Sequence, residues 1–316
     1  MTLIGLGSLG LGGGVSWFRR PVDFHDLTSE TSTLDRVTAD GAAPSNESFS
    51  GKSPPRSASL PTHSFAFESV RLNKQGNIVR RIGGSAERFM EDIGNDVALE
   101  MVMIPEGSFL MGSPTAEEGH QVHETIKHEG AISAFAMGRY PVTQVQWQAV
   151  MGTNPSRFRG DRHPVESITW HEAVQFCNQL SELTDKPYRL PYVNEWEYAC
   201  RAGTTTPFHF GEAIISEVAN YCGIWGYSQA PAGEYRQATT PVGSFPPNDF
   251  GLHDMHGNVY EWSTAPISSG ESNYYGYTRG GSWSEHPNNC RSAYQGYNPP
   301  TLHSSGLGFR VALSLL

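Results

Sequence analysis

Hydrophobic and polar positions fall into regular patterns only after about residue 63 of this chain. An apolar, Gly-rich run from Thr2 to Phe18, closed by Arg19 and Arg20, forms a first segment of residues 1–20. Its basic pair follows the apolar run, whereas a secretory leader carries it in front, and its glycines make a poor spanning helix. The segment reads as a tether or the remnant of a leader. Residues 21–63 pass through Ser, Thr, Pro, Asp and Gly clusters with too few apolar side chains to offset the entropy of ordering, the composition of a disordered linker. Phe65 to Leu72 then alternates apolar and polar side chains as a strand does, and residues 94–113 do the same around Pro105-Glu106-Gly107. The folded domain is therefore expected over residues 64–316.

Three helices are predicted among the loops of this domain. Thr143 to Met151 starts on a residue that can cap and closes on Gly152. In Thr169 to Thr184 the residues Ala173, Val174, Cys177, Leu180 and Leu183 recur near the helical period, so one face should be buried. Asn194 to Ala202 should turn Trp196, Ala199 and Cys200 inward. Beyond Gly203 only short strand-like pieces separate the turns: residues 239–245, 258–263, 278–283 and 308–315. No repeat of about 20 to 50 residues interrupts this pattern.

Composition sharpens the picture. In 316 residues there are 34 Gly and 21 Pro, 11% of side chains are aromatic and 17% charged, which suits loops fixed by buried rings and backbone hydrogen bonds. The net charge of -10 lacks the basic footprint of a nucleic-acid binder, so nucleic acid is excluded as a main partner. Cys177, Cys200, Cys222 and Cys290 contain no CxxC pair and read as buried thiols, not as a zinc ribbon or redox motif. His253 and His256 flank Asp254 without a third ligand at a recognisable spacing, and the group Glu117, Glu118, His120 and His123 reads as a solvated loop.

Several strings occur together in order: MVMIPEGSFLMGS, GRYPVTQVQW, HPVESITWHEAVQFCNQL, YRLPYVNEWEYACRAG, TTPVGSFPPNDFGLHDMHGNVYEW, RGGSW and GLGFRVAL. From about Leu99 to Leu313, roughly two-thirds of the chain, they resemble the formylglycine-generating enzyme (sulfatase-modifying factor) domain. The resemblance implies an irregular, loop-rich α+β C-type-lectin-like fold with few short helices and small antiparallel sheets. The enzymes of that family hold copper with two cysteines between the GGS[YW] strand and the GFR strand. Here Cys290 is the only thiol in that segment, so the pair is not matched and neither copper nor its oxidase chemistry is expected. The related sulfoxide synthases use a His-rich iron site in an N-terminal domain, and only His25 and His63 precede residue 99.

The segment from Arg279 to Val311 further resembles the variable region of proteins diversified by retroelements. Its framework is Gly280-Gly281-Ser282-Trp283, Cys290-Arg291-Ser292-Ala293 and Gly308-Phe309-Arg310-Val311. The residues between are Ser284, Glu285, His286, Asn289, Tyr294, Gln295, Gly296, Tyr297, Asn298, Thr301, Leu302, His303, Ser304, Ser305 and Leu307. Tyr with Ser, Gly and Asn is the composition of a paratope, because Tyr gives contact area at little entropic cost and the small polar residues adapt their hydrogen bonds. Tyr294 and Tyr297 would be its anchors, His286 and His303 its rim, and Trp283, Phe309 and Arg310 its buried frame.

The family also implies calcium. One site maps onto Asp254, the carbonyls of Gly257 and Val259, and Glu261; another onto Asn220, the carbonyl of Tyr221, Glu234 and the carbonyl of Arg236. The expectation is thus a non-enzymatic binding protein of a bacterium, cytoplasmic or tethered and exported, whose ligand is a protein or cell-surface molecule. The alternative is an oxidoreductase or regulatory member of the sulfatase-modifying family.

Overall fold

The computed structural model describes residues 60–125, 129–265 and 276–315; the expectations for residues 1–20 and for most of the linker lie outside them. These residues belong to the compact unit Arg56–Leu316. Its backbone is a six-stranded sheet in the order β1 (His63–Leu72), β2 (Ile78–Asp92), β3 (Ala98–Ile104), β6 (Phe135–Gly138), β12 (Ala312–Ser314), β7 (Tyr188–Arg189). Neighbours in this sheet run antiparallel. A short pair, β4 (Gly107–Leu110) and β5 (Glu129–Ile132), stands apart. A second sheet of four strands has the order β10 (Gln295–Asn298), β9 (Gly276–Arg279), β8 (Tyr260–Ser263), β11 (Leu307–Gly308), in which only β11 pairs in parallel.

The larger sheet is buried on both faces because alternate residues of its central strands point into different cores. Leu99 and Met101 of β3, Ala136 of β6 and Leu313 of β12 join one cluster; Val102, Ile104, Phe135, Met137 and Ala312 join the other. Helix α1 (Gln144–Met151) and helix α2 (Trp170–Thr184) cover the first face through Trp147, Ala173, Phe176, Cys177 and Leu180. Trp147 stacks on Phe176 with centroids 5.5 Å apart, and both meet the ring of Phe309 edge-on. Helix α3 (Val193–Arg201) covers the second face with Trp196, Ala199 and Cys200.

Local chemistry explains the helix starts. Thr143 and Thr169 each cap through the hydroxyl while Gln146 and Glu172 reach back to the cap backbone, a double arrangement whose loss costs about 1 kcal/mol. Gly152 ends α1 at φ 75°, a left-handed conformation that suits glycine. The predicted buried face of α2 is displaced by a fraction of a turn: Phe176 is inside and Leu183 is exposed. One other expectation is corrected: residues 239–245 form a turn instead of a strand, although Val242 is buried. Strand β2 is not among the expected elements, because it is charged along much of its length and carries no alternation that would reveal it.

Candidate ligand-binding surface

The C-terminal segment leaves β9 through Gly280 and Gly281, both at positive φ. A side chain at residue 281 would collide with Cys290, so the reversal tolerates only glycine there. The segment is held by three arginines, Arg279 just before the first framework motif and Arg291 and Arg310 within the other two, whose side chains are wholly buried. Arg279 donates to Glu197 Oε2 at 2.6 Å and to the carbonyls of Ala293 and Tyr294. Arg291 reaches back across the chain to Glu124 and Glu117, and also donates to the carbonyls of Gly119 and Asn288. Arg310 forms a two-point pair with Glu261, at 2.6 and 2.7 Å. Removing one partner from such a buried pair leaves an uncompensated charge, at a cost of about 3 to 5 kcal/mol.

This frame sorts the residues between the motifs. Ser284, Tyr297, Thr301 and His303 are exposed; Glu285, His286, Asn289, Gln295, Gly296, Leu302, Ser304 and Ser305 are partly exposed. Asn298 and Leu307 belong to the frame, which corrects their expected place on the contact surface. Asn298 is buried with its amide on Thr278 Oγ1 at 2.9 Å, and Leu307 lies in the main core. Their strands, β10 and β11, fix these positions by pairing, so an inward side chain cannot be turned out without breaking the register.

The two expected anchors also separate. Tyr297 is 46% exposed; its ring lies 5.1 Å from that of Tyr277 and edge-on to His123, and its hydroxyl accepts from Gln295 Nε2. Tyr294 packs on the main core beside Tyr260, and burial pushes its phenol up to about 12. Trp283 is only half-buried. Its indole donates to Ser305 O, and its ring lies between Tyr235, stacked, and Phe158, edge-on.

Two further loops border the segment. Residues 114–125 do not form a freely solvated loop: Glu117 pairs with Arg291, His120 bonds Ser113, and His123 Nε2 contacts Gln295 O. The loop around Ile224 and Trp225 is joined to the segment by Cys222 N donating to Glu285 O, and Trp225 lies 5.7 Å from the ring of His286. Neither connection is visible in the sequence, because the partners are separated by tens to hundreds of residues.

The thiols sit in surroundings that suppress reactivity. All four cysteines are free and buried. Burial raises the Cys290 thiol well above its ordinary value, and it raises Cys200 to about 12; a nucleophilic cysteine needs the opposite shift. Helix α3 brings Cys200 to within 3.6 Å of Ser292 Oγ and 3.7 Å of His256 Nε2, a grouping that sequence spacing did not reveal. His256 bonds Cys290 O, and burial pushes its imidazole down to about 3; His253 bonds Phe245 O and is pushed down to about 4. Among the described residues no three His, Cys, Asp or Glu side chains converge to hold a metal ion.

A cation at the family's calcium positions would therefore rest largely on carbonyls. Asp254 Oδ2 accepts from Gly243 N, whereas Oδ1 is buried without a partner and desolvation raises the carboxyl to about 6. Asn220 Oδ1 is likewise buried and unpaired. Their expected companions are already engaged: Glu261 by Arg310 and Trp196, and Glu234 by Arg236 at a largely exposed position. The free acceptors Asp254 and Asn220 fit a hard cation.

An irregular two-sheet α+β frame with short helices and a long C-terminal loop system defines the C-type-lectin-like fold of the formylglycine-generating-enzyme type. The sulfatase-modifying factor enzyme 1-like domain matches residues 87–315, and the chain belongs to that family. It is 31% identical over 262 residues to the chaperone protein LppX of Paenibacillus barcinonensis, a match covering 68% of this chain and 88% of that protein. It is 34% identical over 214 residues to the formylglycine-generating enzyme of Mus musculus, covering 62% of this chain but only 56% of the enzyme. Two solved structures superpose with TM-scores of 0.61, each covering 72% of this chain and 98% of the other. They are Treponema denticola variable protein 1, at 26% identity, and PvdO from Pseudomonas aeruginosa, at 32%. The proteins similar to this chain thus include an enzyme, a chaperone and a variable protein. Among the described residues no helix is long and apolar enough to cross a membrane.

Proposed function

We propose that this chain is a non-enzymatic ligand-binding protein whose contact surface is the exposed part of residues 284–305, and that this segment is of the retroelement-diversified kind. The observation that carries the reading is the division of labour within the segment. Arg279, Arg291 and Arg310 are buried and paired, while Ser284, Tyr297, Thr301 and His303 project from a fixed backbone. Such a surface can change its side chains without changing its fold. The likeness to the Treponema variable protein supports the same reading. The ligand class that suits an aromatic and small-polar surface is a protein or cell-surface molecule.

An oxidase would need a thiolate pair, and this segment offers the single deeply buried Cys290. The test has two arms. Randomising residues 284, 297, 301 and 303 should leave folding intact while changing what the protein captures, and randomising 279, 291 and 310 should abolish folding. Incubation with Cu(I), oxygen and a cysteine-containing peptide should yield no formylglycine; production of that aldehyde would overturn the reading. Diversification itself requires a near-copy of the DNA for Arg279 to Val311 beside a reverse transcriptase gene.

We also propose a structural calcium ion at the Asp254 turn, supported by the unpaired Oδ1, with Asn220 marking a second position. Such an ion would compensate buried oxygen atoms and fix the turn that leads into β8.

A further inference from the structure

We propose that the contact surface continues beyond the C-terminal segment onto a fixed site formed by Trp225 and Glu118 beside His286, and that this site receives a lysine or arginine side chain of a protein ligand. The proposal rests on the ligand-binding function and adds to it the charge of the partner and two residues outside the segment.

Trp225 and its neighbour Ile224 are 51% and 56% exposed, at the tip of a loop that has every reason to be rigid. Trp225 N donates to Cys222 O, Gly233 N to Gly223 O, and Ala230 N to Tyr227 O. Side chains at Gly223 or Gly226 would run into the carbonyls of Glu234 and Ala230, so the loop closes on itself only with glycine at both places. A large apolar pair held out on a braced loop is a preorganised contact, which avoids the entropic cost of ordering a loop upon binding.

Glu118 is held against the same loop. Its carboxylate accepts from Ser228 N at 3.0 Å, and its backbone carbonyl accepts from the hydroxyl of Tyr227. Its charge acts on the imidazole of His286, the ring adjoining Trp225. The neighbouring cations are already committed, Arg291 to Glu117 and Glu124 and Arg236 to Glu234, and among the described residues Glu118 makes no ion pair. The loop thus carries an exposed ring, Trp225, and holds an exposed carboxylate, Glu118, through Ser228, on a chain of net charge -10. An ammonium or guanidinium satisfies both at once, through the ring quadrupole and a charge-assisted hydrogen bond. An anionic or phosphate-bearing partner would meet only repulsion. His286 lies within the C-terminal segment and Trp225 outside it, so a cationic side chain here would give a constant point of attachment beside changeable contacts.

The probes are capped hexa-arginine, hexa-lysine and hexa-aspartate peptides, added to the full chain with 15N-labelled tryptophan and followed by NMR at low and high salt. The indole signal of Trp225, assigned from Trp225→Phe, should move with either basic peptide and stay still with the acidic one, and the buried Trp147, Trp196 and Trp262 should be silent. Glu118→Gln should weaken binding at least fivefold and Trp225→Ala tenfold. Glu106→Gln, which removes an equal charge in the β3–β4 turn, should change it less than twofold. Equal losses for Glu118→Gln and Glu106→Gln would mean diffuse attraction to an acidic protein and overturn the site. Binding lost in Tyr297→Ala but kept in Trp225→Ala would overturn it too while leaving the ligand-binding surface standing. No shift with any peptide refutes the cationic site alone, because the copper and randomisation arms judge the broader reading separately.

Discussion

Buried neutral histidines make the fold sensitive to mild acid. His253 and His256 are held neutral by burial, with pKa values of about 4 and about 3 in place of 6.5. Below pH 6.5 the unfolded chain takes up protons that the folded chain refuses, so stability falls as pH drops, and continues to fall toward the folded values. From pH 7 to pH 5 each histidine removes about 2 kcal/mol, or roughly 4 kcal/mol together. Asp254 works in the opposite direction: its carboxyl is raised from 3.8 to about 6, so its proton is retained in the folded state and restores about 1 kcal/mol at pH 5. Glu117, Glu166 and Glu285, also raised by burial, act in the same sense as Asp254. One histidine is isolated by comparing the wild type with His256→Asn, whose amide can still donate to Cys290 O. Urea unfolding followed by tryptophan fluorescence at pH 7 and pH 5 should show a pH-dependent loss smaller by about 2 kcal/mol in the variant. Parallel stability profiles for the two proteins would show that His256 is not buried and neutral as its surroundings require.

The remaining predictions concern the frame, the thiols and the cation. Tyr297→Ala should change stability by less than about 0.5 kcal/mol, whereas Leu307→Ala should cost about 2 to 5 kcal/mol, read from the same unfolding curves. Glu124→Gln should destabilise by about 3 kcal/mol and expose the amides of residues 114–125 to hydrogen exchange, because Arg291 then loses its principal carboxylate; unchanged exchange would deny that this pair ties the loop to the segment. Cys290 should resist alkylation in the native protein and react only after unfolding. Calcium at millimolar concentration should raise the melting temperature of the wild type but not of Asp254→Ala; the same response from both proteins would place the ion elsewhere.

Patterns that depend on near neighbours in the chain were legible without coordinates. The threonine cap of α1, the glycine that stops α1, the inward face of α3 and the strand alternation of β1 and β3 all follow from spacings of two to four residues. The ordered motifs pointed to the fold and located the segment between β9 and β12. The exceptions have local causes as well: β2 is charged along much of its length, and Leu183 shows that helical spacing locates a face only to within a fraction of a turn.

Tertiary structure alone decided which residues of that segment point outward. Tyr294 and Tyr297 are alike in sequence, yet one packs on the core beside Tyr260 and the other lies exposed beside Tyr277 and His123. Distance along the chain also hid the ion pairs, since Arg291 finds Glu124 across 167 residues. It likewise hid the approach of Trp225 to His286. A sequence records hydrophobicity and local conformational preference, whereas the partner of a buried charge and the exposure of a ring are set by what the rest of the chain brings beside them.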